Sequence, residues 1–198
     1  GQTAPEYCAY DLYPNVNEGI LIPAGVSYCA MGRNILETGG KYDPSMQVVS
    51  SILSLSYLWN EIRVKGGAYG TGASFSTNGN TVLWSFRDPD AFHTINTFPL
   101  AREYFASFDE DLTGYIIGTI GSSEPVLSPL ERMRMGDLRY LAKITDELSR
   151  ETRKKILRTT KEDVINSAEM IMKAVTGSKI CVIGPENILA RFADLERI

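Results

Sequence analysis

Two side chains six positions apart, Arg63 and Tyr69, hold the chemistry that stands out in this chain, within the run Leu58–Gly72, LWNEIRVKGGAYGTG. A guanidinium is a permanent charge with a planar fork of donors, and a phenol is a neutral donor. Brought to one place, they offer fixed hydrogen bonds to a carbonyl, or to the oxyanion that develops on it during acyl transfer. The residues between them, with Gly66, Gly67 and Gly70 beside Ala68, permit a sharp reversal and let a substrate backbone come close. Gly66, Gly67, Ala68 and Gly70 are therefore the candidates for contact with substrate. From the pattern alone an ordinary packing role is the stronger reading for both polar residues. Arginine at a helix carboxyl end favours the dipole, and tyrosine packs well in a strand.

Other chemistries fit poorly. The chain has no H-E-x-x-H, H-x-x-E-H, G-x-S-x-G or P-loop. A phosphate cradle needs a strand, a loop and then a helix amino end. Here the order runs from helix through the glycines Gly66, Gly67, Gly70 and Gly72 into a strand, so the loop faces the negative end of the dipole. His93 is the single histidine and reads as a surface residue at a helix start. Cys8, Cys29 and Cys181 have no C-x-x-C spacing and read as free thiols of a reducing compartment, cytoplasm or organelle matrix. No metal site is expected within the chain. Arg87 and Asp88 of FRDPD are expected to hold a hairpin end to the sheet, and Glu61 to be a surface carboxylate or a partner for Arg63. Trp59 and Trp84 are expected in the core, and Arg132, Arg134 and Arg139 on a solvated helix face.

The elements that would position Arg63 and Tyr69 follow from periodicity. Asp43-Pro44 signals a helix start, and Val48, Val49, Ile52, Leu55, Trp59 and Ile62 recur at helical spacing, which predicts a helix over 46–64 ended by Gly66-Gly67. Strands are expected at 68–77 and 81–87, joined by Asn78-Gly79-Asn80, a strong hairpin signal. An earlier apolar stretch, 19–34, has β character. Helices are expected near 91–107, 109–120, 127–143, 147–158 and 161–175, the last capped by Thr160. A short buried strand over 179–184 and a terminal helix over 186–195 complete the chain. Strands and helices cluster instead of alternating, which favours an α+β layer: a largely antiparallel sheet with helices on one face.

Composition sets the outer bounds. The chain has 198 residues, is 43% hydrophobic and carries a net charge of −4, so it buries a substantial core and shows no basic face for nucleic acid or anionic lipid. No apolar run approaches the ~18–20 residues that cross a bilayer. Residues 1–18, rich in Pro, Asn and Tyr, read as a linker or arm, and 19–198 as a single domain. The initial GQTAPEY lacks the pattern of a signal peptide, and a start at Gly1 points to a fragment or a processed product.

The phrase LWNEIRVKGGAYG closely resembles the carboxyl-terminal portion of presequence-protease-like and falcilysin-like peptidases of the pitrilysin/insulinase superfamily. PAGVSYCAMG, FRDPD, YIIGTIGSSEPVLSP and RKKILRTTKEDV stand in the expected order, so the resemblance covers roughly residues 18–185. It implies a mitochondrial-processing-peptidase-like metallohydrolase domain, the fourth of a two-halved enzyme. The zinc site, an inverted H-x-x-E-H with a further glutamate, would lie in the first domain. The fourth domain would contribute Arg63 and Tyr69 across the closed chamber as catalytic donors to an oligopeptide substrate. Zinc belongs to the full-length enzyme in this view, and the partners are the amino-terminal catalytic domains of the same polypeptide. The implied function is hydrolysis of short unfolded peptides, with the isolated domain inactive. A non-catalytic scaffold or assembly domain of the same superfamily is the alternative.

Overall fold

β-branched and aromatic runs separated by turn residues set up the sheet. The computed structural model of the protein describes residues 16–197. Its sheet has six strands: β1 (Glu18–Leu21), β2 (Ser27–Asn34), β3 (Gly70–Phe75), β4 (Asn80–Asp88), β5 (Lys179–Gly184) and β6 (Glu196–Arg197). They lie in the order β3-β4-β2-β5-β1-β6. The β3–β4, β4–β2 and β2–β5 pairs are antiparallel, while β5–β1 and β1–β6 are parallel. The sheet is thus mixed and open, antiparallel over the part that carries the site.

The stretch expected as one β segment divides at Pro23, which has no N–H to donate to a ladder. Its two parts, β1 and β2, flank β5 on opposite sides. Most of the expected arm, residues 1–15, lies outside the described residues. Glu18, expected at its end, already opens β1, and the Asn17 side chain accepts from the Ile180 N–H at 3.1 Å.

Cys29, Met31, Leu83, Phe75 and Val182 form the inward face of the sheet, buried beneath helices. The helices are α1 (Met46–Ile52), α2 (Ala91–Thr97), α3 (Ala101–Ala106), α4 (Thr113–Ser123), α5 (Pro129–Leu141), α6 (Asp146–Leu157), α7 (Lys161–Val175) and α8 (Glu186–Leu189). In α7 a capping box between Thr160 and Asp163 satisfies the first amides, and Val164, Ala168, Ile171, Met172 and Val175 face the core. The expected helix over 91–107 is interrupted at Phe98–Leu100, where Pro99 forces a tight turn. The expected helix over 186–195 stops at Leu189, and the chain returns as β6. The Glu196 N–H donates to the Asn17 carbonyl at 2.8 Å, so the free edge beside β1 captures it. The opposite face of the sheet, with Tyr28, Trp84 and the partly exposed Phe86, carries no helix among the described residues.

Candidate functional site

The helix that brings Arg63 to the site is not α-helical throughout. Asp43 accepts from the Ser45 N–H at 2.9 Å in the turn that precedes it, but Ser45, not Asp43, is the cap residue. α1 runs from Met46 to Ile52, and wider π-helical stretches follow at Leu53–Tyr57 and Trp59–Lys65. Widening changes which side chains face the core. Val49, Leu53, Leu58 and Ile62, spaced by four, five and four, are fully buried, whereas Leu55 and Trp59 of the expected stripe are exposed. Leu58 and Ile62 each contribute roughly 1.5–3 kcal/mol by burial and fix the last turn against the sheet. Arg63, one position beyond Ile62, is thereby turned to solvent.

The Arg63 carbonyl accepts the N–H groups of Gly66 and Gly67, and Ala68 N–H donates to Ile62 carbonyl at 3.1 Å. Gly67 has φ of 80°, a left-handed backbone that glycine supplies without strain. The Tyr69 N–H donates to the Arg87 carbonyl at 3.3 Å, where β3 begins. All the amides from Gly66 to Tyr69 are therefore used internally, which leaves none to cradle a phosphate.

Tyr69 is 61% exposed, and its ring packs edge-on against Phe86 with centroids 5.2 Å apart and an interplanar angle of 85°. The Arg63 guanidinium carbon lies 5.8 Å from the Tyr69 ring centroid and 4.1 Å from that of Trp59, which acts as a platform for the charge. Arg63 and Tyr69 thus lie side by side. Glu61 is not the partner of Arg63. It accepts from Lys65 at 2.6 Å, one turn along the helix. Trp59 and Trp84, expected in the core, are 40% and 37% exposed, the first beneath Arg63 and the second on the open face of the sheet.

The substrate-contact candidates divide. Gly67 is exposed at the corner of the reversal and Gly66 is half-buried, but Ala68 turns inward and is 3% exposed. A Cβ on Gly70 would stand 2.7 Å from the Phe86 ring, and one on Gly72 would stand 2.7 Å from the Trp84 ring. Those two glycines make room for aromatic side chains of the neighbouring strand. Sequence reasoning had no access to this, because the clearance depends on register between β3 and β4.

Beneath the site lies a buried polar network. The Asp88 carboxylate, 1% exposed, accepts from the hydroxyls of Ser85 and Thr94, each at 2.6 Å, and from the Asp90 N–H at 2.9 Å. With its hydrogen given to Asp88, Ser85 accepts from the Cys29 thiol at 3.0 Å. Burial pushes the Cys29 pKa up to about 12, consistent with a thiol that stays protonated and donates. Asp88, expected with Arg87 to hold the hairpin end to the sheet, instead ties the end of β4 to the first turns of α2. His93 is exposed in the first turn of α2, and its N–H is capped by Asp90 at 3.1 Å. Cys29 and Cys181 are free. Arg132, Arg134 and Arg139 lie on an exposed face of α5. Among the described residues no group of three or more His, Cys, Asp or Glu side chains is placed to hold a metal ion, and no helix is long and apolar enough to cross a membrane.

Residues 17–185 match the family described as the PreP C-terminal domain. The chain belongs to that family. Among curated relatives, it is 35% identical to Protein HypA of Clostridium perfringens over 90% of the chain and 19% of that protein. It is 35% identical to presequence protease 1, chloroplastic/mitochondrial, of Arabidopsis thaliana, over 80% of the chain and 15% of that protein. It is 29% identical to the mitochondrial presequence protease of Xenopus tropicalis, over 72% of the chain and 14% of that protein. The chain thus spans 14–19% of the length of these relatives. Solved structures share its fold. A peptidase M16 inactive domain from Pseudomonas fluorescens superposes with a TM-score of 0.53 at 19% identity, covering 85% of this chain and 44% of that one. A protease from Helicobacter pylori gives 0.61 at 13%, covering 87% and 46%, and pitrilysin gives 0.54 at 16%, covering 85% and 19%.

Proposed function

We propose that this chain is the substrate-binding, transition-state-assisting C-terminal domain of a zinc endopeptidase that degrades short unfolded peptides. The observation that carries the reading is the convergence of Arg63 and Tyr69. An exposed guanidinium and an exposed phenol meet at the edge of an open sheet face, and the carboxylate beside them, Glu61, is engaged by Lys65 instead. Their arrangement supports donation of hydrogen bonds to the carbonyl oxygen of a bound peptide. Those bonds strengthen as negative charge accumulates on that oxygen, which is the differential binding that accelerates a reaction. Trp59 beneath the guanidinium and Phe86 against the phenol restrict both donors before substrate arrives.

The chain's described residues do not provide a zinc ligand set. In this reading zinc belongs to the amino-terminal domains of the same polypeptide, where it would supply polarisation of the peptide bond. Nucleic acid and membrane have no part in it. An organelle matrix is the proposed setting, by analogy with relatives whose names place them in mitochondria and chloroplasts.

In the full-length protein, Arg63→Lys and Tyr69→Phe are expected to lower kcat for oligopeptide cleavage by up to about 10²–10³-fold with the unfolding midpoint preserved. Unchanged turnover in both variants would overturn the reading in favour of a scaffold role.

A further inference from the structure

The strand register beside Tyr69 contains an extra residue. Tyr28 of β2 pairs with Phe86 and Ser27 pairs with Asp88, so Arg87 has no partner across that ladder and forms a β-bulge. Its φ of 49° puts a non-glycine residue in the left-handed region, a conformation that persists only where surrounding contacts impose it. Regular alternation would send the Arg87 side chain toward the helices with Leu83 and Ser85, and Asp88 to the open face with Phe86. The bulge exchanges the two. Asp88 is buried under three hydrogen bonds, and Arg87 emerges exposed, its guanidinium carbon 5.6 Å from the Tyr69 ring centroid.

Arg87 meets Tyr69 twice, through the carbonyl that accepts the Tyr69 N–H and through the guanidinium near the ring. Together with Phe86 and Arg63 it surrounds a tyrosine that would otherwise be free to change rotamer at an exposed strand end. Like Arg63, it has no carboxylate partner among the described residues. The nearest acidic neighbours in sequence, Asp88 and Asp90, are taken by Ser85 and Thr94 and by Arg191.

We propose that Arg87 is a positioning residue for Tyr69: the bulge delivers a second guanidinium that fixes the direction of the phenol. This rests on the assignment of Tyr69 as a donor to the peptide carbonyl.

Arg87→Gly in the full-length protein tests it, because glycine accepts the left-handed backbone and leaves the bulge intact. The expected result is an unfolding midpoint equal to or above the parent, KM for an oligopeptide nearly unchanged, and kcat lowered roughly three- to thirtyfold. Arg87→Lys, which keeps the charge without the planar fork, recovers part of that loss. In a Tyr69→Phe background, where no hydroxyl remains to be aimed, Arg87→Gly adds less than about a twofold change. The proposal is overturned if Arg87→Gly costs the same factor in both backgrounds. It is also overturned if Arg87→Gly raises KM alone, or leaves kcat intact while Tyr69→Phe lowers it. Should Arg63→Lys and Tyr69→Phe themselves leave turnover unchanged, the parent reading falls and takes this inference with it.

Discussion

Glycine carries much of the burden at the residue scale, for reasons that differ from one position to the next. At Gly67 the requirement is backbone conformation, φ of 80° at a helix end. Gly67→Ala is expected to destabilise the domain by about 1–2 kcal/mol in urea titration, since a Cβ is strained there even with Pro89 no closer than 3.5 Å. At Gly72 the requirement is space. A Cβ 2.7 Å from the Trp84 ring forces that ring aside, and Gly72→Ala is expected to cost about 1–3 kcal/mol with a changed tryptophan emission spectrum. The cluster itself was plain in the sequence, whereas a joint chemical role for Arg63 and Tyr69 outweighed ordinary packing only through the family resemblance. The separate reasons were not, because they depend on which residue of β4 lies opposite. The role of Arg87 was hidden for the same reason: its bulge is a property of register between β2 and β4, and a single strand carries no sign of it.

Element boundaries followed the sequence where local signals were strong and departed from it where tertiary contacts outweighed them. Thr160 announces α7, and the structure adds Asp163 as its partner in a full capping box. Hydrogen bonds from the Thr160 backbone and side chain and from Lys155 hold the Asp163 carboxyl below its ordinary value. A lowered folded pKa means that its stabilisation is complete above about 3.8, the ordinary value, and fades as pH falls through the lower folded one. The midpoint difference between the parent and Asp163→Asn should therefore be present at neutral pH and vanish in strong acid. By contrast, the wide turns at Leu53–Tyr57 and Trp59–Lys65 shifted the buried positions away from a 3.6-residue stripe. α5 presents the opposite situation. Ser128 and Glu131 close a capping box with Pro129 in the first turn, yet none of its residues is buried, and Leu130, Met133, Leu138 and Leu141 are all exposed. A helix of that length draws little stability from propensity alone. Its amides should exchange with solvent hydrogen far faster in the isolated domain than those of α7, a contrast that amide exchange followed by mass spectrometry resolves.

The domain as a whole offers half of a site under the proposed function: two donors on an open sheet face, with no ligand set for zinc among its described residues. The isolated domain is accordingly expected to cleave no peptide and to hold no stoichiometric zinc after dialysis, checked by fluorogenic peptide assay and metal analysis. Turnover by the pure domain with one zinc per chain would contradict the reading. The α+β architecture and the antiparallel core of the sheet were legible from the clustering of strands and helices. The parallel additions were not, because β1, β5 and β6 are brought side by side from the two ends of the domain.

Among the described residues the two free thiols sit on adjacent strands yet face opposite environments, which gives the sheet a chemical clock. Cys181 is half-buried and accessible from the open side, whereas Cys29 is 4% exposed, stays protonated to about pH 12 and donates to Ser85. Alkylating reagents attack thiolates, so Cys29 should be silent until the helical layer lifts from the sheet. In a Cys8→Ser background, the slow second labelling event would time that opening. A shortened interval in any variant would show loosening of the layers even where activity has already been lost.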